Sequence, residues 1–461
     1  MSTTTPPSLD PALSNLVDAL GDAVSVDDGA LESVRADKSG HISAGRPLCV
    51  VYPTTTEQVS QVMQIASATN TPVVTRGGGS GLAGGAIGSP GEIVLSLERM
   101  NTIKEISTTN RSAVVEAGVI NDHLNEEAKK HGLWFAPDPA SRPWSTVGGN
   151  IATNAGGLLC VKYGVTREAV LDLTVVLANG EVMRVGHKTV KGVTGFDLAA
   201  LFVGSEGTLG VITEATVALK PLDLSPVWTV SGWSGDLDQV TGAVSDTITT
   251  GARPAILELI DVNAAAHIST YLGRHDLPAG ATHLIAQTDG PSAQQDAQQI
   301  ADIWQARGLS VDVGEDREDL IAFRRAMHPA MEAVGQVLIE DVAVPRSALP
   351  DMFRAIRQIE KDFDVEIPTV AHAGDGNLHP NFIYAGDSAP DNIWDAADAL
   401  FRAAVDLGGT LTGEHGVGLL KRRWLKDELG DTQWRLQWHI KQLFDPRNIL
   451  NPGKVFCPAN P

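Results

Sequence analysis

Six glycines fall within the ten residues Arg76-Gly77-Gly78-Gly79-Ser80-Gly81-Leu82-Ala83-Gly84-Gly85, between two apolar, strand-like runs. So few side chains cannot fill a core or sustain a regular element. What the stretch offers is a dense set of backbone N–H groups that can converge on a phosphate without any basic side chain. Pro72-Val73-Val74-Thr75 feeds the loop and Ile93-Val94-Leu95-Ser96-Leu97 resumes as strand after it, which argues against a flexible linker. Upstream, Leu48 to Tyr52 reads as a strand, and residues 56–69 carry Val59, Val62, Met63 and Ala66 at helical spacing behind a threonine cap. A β-α-β unit therefore delivers the chain to the loop. Gly79 to Gly84 fit G-x-G-x-x-G, but that fingerprint must open a helix, and Ala86-Ile87-Gly88-Ser89-Pro90-Gly91 cannot be one.

Two more stretches of small residues follow. One, after a helix near 121–131, holds Pro137-Asp138-Pro139 and then Ser145 to Gly157; the other, Gly204 to Ile212, turns into a strand ending at Lys220-Pro221. Such backbone suits close approach to a flat polar ring system or a pyrophosphate. In this order the three segments resemble the flavin-binding domain of the vanillyl-alcohol oxidase and p-cresol methylhydroxylase group. That resemblance implies FAD, contacted by Arg76, Gly77, Gly78, Gly79, Ser80 and Gly81 in the first segment. In the second it implies Pro137, Asp138, Ser145, Thr146, Gly148, Gly149, Thr153 and Asn154, and in the third Glu206, Gly210, Val211 and Ile212, with Asn451 from the closing run. Covalent members of the group can carry a histidine where this loop has Ser80, so a non-covalent flavin is expected.

Lys220-Pro221 marks a boundary. Residues 1–45 form a lead-in with an amphipathic helix over 9–21, 46–221 the flavin-binding domain, and 222–461 a second domain. In the latter, strands are expected near 226–233, 255–260, 282–287, 309–313 and Val337–Val344, and helices over 236–249, 261–272, 291–307, 317–333, 347–361, 391–407 and 425–443. The fold class is thus α+β: a two-part flavin domain followed by a cap whose sheet is covered by helices, expected on one face.

Within the cap, Val370-Ala371-His372-Ala373-Gly374-Asp375-Gly376-Asn377-Leu378-His379-Pro380-Asn381 reads as a β-hairpin closing over Asp375 and Gly376. This would set His372 opposite His379, with Cβ atoms ~4.5–5.5 Å apart, and Asn381 on the same face. Glu414, in Gly413-Glu414-His415-Gly416 where the flanking glycines let the backbone approach closely, is the best candidate for a third ligand, and His415 would stand beside the metal as a base. HAGDGNLHPN, TGEHGVGLLKRRWL and DPRNILNPGKVF resemble the C-terminal half of the FAD-linked oxidases, which include cytochrome-type D-lactate dehydrogenase, the glycolate oxidase flavin subunit and D-2-hydroxyglutarate dehydrogenase. The resemblance implies a divalent metal (zinc, manganese or iron) on His372, His379 and Glu414, His415 as base, Asn381 touching substrate and Arg324 clamping its carboxylate. Arg324 and Arg325 are adjacent on a helix, so only one can face a site. Where the hydroxyglutarate enzyme has a lysine for the distal carboxylate, this chain has Ile339, which favours a shorter or more apolar 2-hydroxy acid over a diacid.

The expected reaction is oxidation of a small D-2-hydroxy acid, with electrons passed to an external quinone, cytochrome or electron-transfer protein. The chain acts alone, as a homodimer or with partner subunits. An alkyl-dihydroxyacetonephosphate-synthase-like transferase is the alternative on the same architecture. A formal charge of −21 argues against nucleic acid and anionic membrane surfaces. Cys49, Cys160 and Cys457 are too far apart to suggest a disulfide framework or an iron–sulfur site. No run reaches the ~18–20 apolar residues of a membrane span. The cytoplasm is therefore the expected compartment, with any membrane association peripheral at its inner face.

Overall fold

A computed structural model describes residues 10–275, 277–386 and 388–457. Its first unit holds two larger sheets and a two-stranded one, Leu133–Trp134 with Lys220–Pro221. In one, strands Cys49–Val51, Ile93–Ser96 and Val73–Arg76 run parallel, with Val24–Ser25 antiparallel on the outer edge. Helix Thr56–Thr69, opened by the Thr55 side chain accepting from Gln58 N, buries Val59, Val62, Met63 and Ala66 against this sheet. The expected β-α-β crossover therefore skips a place, and the strand following the glycine loop fills it. The second sheet, of five strands, is antiparallel in the order Ile103–Ser107, Ser112–Glu116, Val211–Ala218, Val170–Val176, Val182–Gly186. Residues 147–153, read from sequence only as a donor-rich stretch, form a short helix capped by Thr146.

The second unit is one antiparallel sheet: Ser310–Glu315, Trp228–Ser234, Thr282–Thr288, Ile256–Ile260, Thr369–His372, Asn377–Tyr384 and Gln336–Ile339, with Val342–Ala343 also paired to Asn377–Tyr384. Helices cover both faces, not one. Leu237–Thr249, Ala293–Ala306, Leu349–Phe363 and Asp391–Asp406 pack on Leu257, Leu259, Ala371 and Phe382. Val262–Leu272, Glu318–Arg325 and Met327–Glu332 pack on Ile256, Ile260, Ile285 and Val370. Continuous burial of Ile256–Ile260 and Thr282–Thr288 follows directly.

Two expected elements are broken. The helix over 317–333 is two helices divided at Ala326, because Pro329 has no N–H and its ring would meet the carbonyl four residues back. The strand over Val337–Val344 is interrupted at Glu340-Asp341, two buried acids whose side chains lie 3.5 and 3.9 Å from Lys421 Nζ, although Glu340 N still donates to Pro380 O. The last helix, Leu425–Phe444, is kinked at Gly430 (φ 68°, ψ 166°).

Beyond the cap the chain returns to the first unit. Phe444 lies edge-on to Phe202, Ile449 and Leu450 join the core of the parallel sheet, and Val73 exchanges backbone hydrogen bonds with Ile449 O and Asn451 N at 2.7 and 2.8 Å. The free edge of Val73–Arg76 is thereby covered. Lys441, 3% exposed, donates to Asp445, to Thr208 O (2.8 Å) and to Leu450 O (2.8 Å). Lys441→Ala leaves Asp445 buried without its cation, so we expect a loss of about 3–5 kcal/mol, seen as a melting temperature several degrees lower; an unchanged melting curve would contradict this role.

Candidate active site

The hairpin forms, but its turn spans the four residues 373–376. Gly376 (φ 80°) sits so close to the chain that a Cβ would lie 2.2 Å from Val344 O. The longer turn shifts the register: His372 pairs with Asn377, and His379 with Val370. The two histidines are therefore diagonal neighbours on one face, not opposite each other. Their rings still meet edge to face, with centroids 5.0 Å apart. Glu414 Oε1 lies 3.4 Å from His372 Nε2, and one ligand atom from each of His372, His379 and Glu414 falls within 4.8 Å of the others. His415 stacks on His379 at 5.1 Å, and Asn381, two residues along the same face, donates to His379 O at 2.7 Å.

Two carboxylates hold the loop that carries Glu414 and His415. Asp341 Oδ2 accepts from the Thr412 hydroxyl (2.7 Å), Glu414 N (2.9 Å) and His415 N (3.0 Å). From the first unit, Glu206 accepts from Val417 N (2.7 Å) and Gly418 N (2.8 Å). Burial opposes the charge of Asp341, yet His415, Lys421 and His379 hold its carboxyl far below the usual range. Burial pushes Glu414 up to about 7 and His415 down to about 4. His415 is therefore neutral near pH 7, with an unprotonated ring nitrogen, and its buried Nδ1 has no hydrogen-bond partner. His379 Nδ1 and Asp341 Oδ1 are likewise buried and unpartnered, 3.7 Å apart. Two imidazoles and a carboxylate with converging lone pairs fit a divalent metal of the zinc, manganese or iron kind.

The three small-residue segments meet one another. A Cβ on Gly77 would lie 2.3 Å from Thr146 Oγ1, and one on Gly78 2.2 Å from Trp144 O, so the glycine loop lies flat on the second segment. Asn451 Nδ2 ties the loop to the third, donating to Gly85 O (2.9 Å) and Glu206 O (2.8 Å). Thr75 Oγ1, Ser145 Oγ, Asn150 Nδ2, Ser205 Oγ and Asn451 Oδ1 are buried without partners along these segments, as suits a large polar cofactor such as FAD. The second segment also reaches the metal candidates, since a Cβ on Gly156 would lie 2.7 Å from Glu414 Oε1.

Several expected flavin contacts have side chains engaged within the protein. Arg76 donates to Ala86 O, and its guanidinium would be 2.2 Å from a Cβ on Gly79. Thr146 caps Gly149 N, Thr153 Oγ1 donates to Gly149 O, and Asn154 Oδ1 accepts from Arg167 N. Asp138, raised to about 7 by burial, accepts from Leu159 N, while Pro137 O accepts from Asn121. Gly81 O accepts from Lys38 N, and a Cβ on Gly148 would strike Ala117. Gly210, Val211 and Ile212 are core positions, and the Glu206 carboxylate is spent on the 417–418 backbone. Ser80 stays half-buried in the loop.

Arg324 is buried and turned inward, whereas Arg325 faces out and pairs with Glu318 at 2.6 Å. Sequence reasoning missed the partner of Arg324. Glu258 lies 2.7 Å from Arg324 Nε and 2.6 Å from His372 Nδ1. The signal was a lone acid inside the apolar run Ala-Ile-Leu-Glu-Leu-Ile. Burial opposes charge on His372, but Glu258 and Glu414 outweigh it and lift the imidazole to about 9.

Comparison with known proteins finds a family for each half of the chain. Residues 47–186 match the FAD binding domain family and residues 233–455 the family described as FAD linked oxidases, C-terminal domain. Glycolate oxidase subunit GlcD of Bacillus subtilis is 39% identical, covering 89% of each chain. The D-lactate dehydrogenase of Archaeoglobus fulgidus is 36% identical over 89% of this chain and 92% of its own. Among solved structures, p-cresol methylhydroxylase with substrate bound superposes with a TM-score of 0.77 at 19% identity, covering 98% of this chain and 97% of the other, a likeness of fold. With both halves matched in order and relatives of this identity along nearly the whole length, the chain belongs to the FAD-linked oxidase family, an oxidoreductase family of flavoproteins.

Proposed function

We propose that this flavoprotein oxidises a small D-2-hydroxy acid, of the D-lactate or glycolate class, to the 2-oxo acid. The observation that carries the reading is the convergence of His372, His379, Glu414 and His415 beside Gly156 of a flavin-binding segment. When bound, FAD supplies the hydride acceptor and the divalent metal supplies Lewis acidity at the substrate hydroxyl. Arg324 holds the substrate carboxylate and Asn381 adds a polar contact. His415, kept neutral by burial, takes the hydroxyl proton. Asp341 and Glu206 fix the loop on which His415 stands, so the base is placed before substrate arrives. Relatives named D-lactate dehydrogenase support the D hand and, with those named glycolate oxidase subunit, the monoacid class, while one at 30% identity is named for the diacid D-2-hydroxyglutarate.

Ile339 pairs with Asn381 and Val337 with Ile383, so the strip leading away from the histidines is apolar. A second carboxylate there would be desolvated without a counter-charge. Electrons leave to an external quinone, cytochrome or electron-transfer protein. The relatives named as glycolate oxidase subunits favour a second version, in which the same chemistry runs only with partner subunits. None of the helices among the described residues is long and apolar enough to cross a membrane.

Anaerobic titration of the flavin spectrum with D-lactate, L-lactate, glycolate and D-2-hydroxyglutarate tests this directly. Bleaching by a D-monoacid or glycolate, blocked by a chelator, is expected; bleaching that survives complete metal removal would sink the metal role, and a flavin that none of them reduces, even with partner subunits present, would sink the substrate class. Gly156→Ala should push Glu414 aside and weaken metal binding by about tenfold with little change in melting temperature, measured by metal content against a graded chelator. Ile339→Lys should move the kcat/KM ratio toward D-2-hydroxyglutarate by about tenfold, and a ratio that does not move would place the substrate tail elsewhere.

A further inference from the structure

Glu258 occupies the middle of Ile256–Ile260, a strand buried at every position. A carboxylate there costs several kcal/mol unless each oxygen is partnered. Both are: Oε1 lies 2.6 Å from His372 Nδ1 and Oε2 2.7 Å from Arg324 Nε, with side chains 1%, 6% and 10% exposed. The first contact is set by strand register, since Glu258 pairs with His372. The second comes from helix Glu318–Arg325, which packs on the same face of the sheet.

A carboxylate only accepts hydrogen bonds, so the proton facing Glu258 sits on Nδ1 of His372. The proton that a metal would displace from the ring is then the one on Nε2, the atom 3.4 Å from Glu414 Oε1, and its loss leaves the lone pair there. The same carboxylate takes the Nε–H edge of Arg324 and leaves its two terminal nitrogens for another anion. We propose that Glu258 is a positioning residue that sets the His372 tautomer able to bind the metal and aims Arg324 at the substrate carboxylate, so that one side chain couples the two halves of the site. This rests on the roles given above to His372 and Arg324.

The discriminating variant is Glu258→Gln in the FAD-loaded protein. An amide has one accepting oxygen and one donating nitrogen, where two acceptors are needed. Turned one way it satisfies Arg324 and forces the His372 proton onto Nε2; turned the other it satisfies His372 and frees Arg324. We therefore expect either metal affinity lower by about 10–100-fold, read by metal analysis against a graded chelator, or a KM for the hydroxy acid raised by about tenfold with metal retained. Glu258→Asp keeps the charge and guards against misfolding. It falls short of reaching both partners, and the same two readouts should move by several-fold. Wild-type metal affinity and KM in both variants would overturn the proposal, as would a lower melting temperature with neither readout changed, since that is a merely structural role. Wild-type protein that holds no metal on His372, judged by unchanged metal content in His372→Ala, would instead defeat the functional reading on which the proposal rests.

Discussion

The loop from Thr412 to Gly418 is gripped from both sides by buried carboxylates, and the geometry of the site depends on that grip. Asp341 belongs to the cap and Glu206 to the flavin-binding unit, yet Oδ2 of the one and both oxygens of the other accept from backbone N–H groups of the same few residues. Burial raises Glu206 to about 7, so its charge is tolerated only because the Val417 and Gly418 N–H groups, with the more distant Lys421 and Lys454, offset that cost. Had the loop been anchored by the cap alone, Glu414 and His415 would hold their places relative to the other histidines but not relative to the flavin segments. Reaction at a cofactor from one unit and ligands from the other requires both registers at once.

The chain carries a formal charge of −21 and is expected to take an anion. The two are compatible because surface charges more than about 8–10 Å away are largely screened at physiological salt, whereas cations inside the cap act at short range. Arg324 is balanced by Glu258, and Lys421 by Glu340 and Asp341. Neither cation is free; each is shared, and the site gains direction from the pairing more than net charge.

Much of this was legible in the residues. Helix Thr56–Thr69 and its Thr55 cap fall where spacing and capping chemistry put them, and the structure sets His372, His379, Glu414 and His415 side by side, with Arg324 joined to His372 through Glu258. What failed had physical reasons. Turn length in Gly374-Asp375-Gly376-Asn377 is decided by the close approach of Val344 O to Gly376, a contact far along the chain, so the register slipped. Pro329 was visible and should have divided the helix. Coverage of both sheet faces was written in the unbroken apolar run around Glu258, as was the need of that acid for a partner. The return of Asn451 to Gly85 has no local signature at all.

That return changes what kind of object the cap is. It leaves the flavin-binding unit beyond Lys220-Pro221 and comes back through Lys441 and the Ile449–Asn451 bridge, so it is inserted into that unit, not appended to it. An appended domain hangs from one crossing of the chain; an inserted one is held by two, and here the hold of Glu206 on Val417 and Gly418 adds a third. Synthesis feels the same constraint. As the chain grows, the edge beside Val73 stays open until the residues that follow the cap have been made, so the parallel sheet is completed only after the cap.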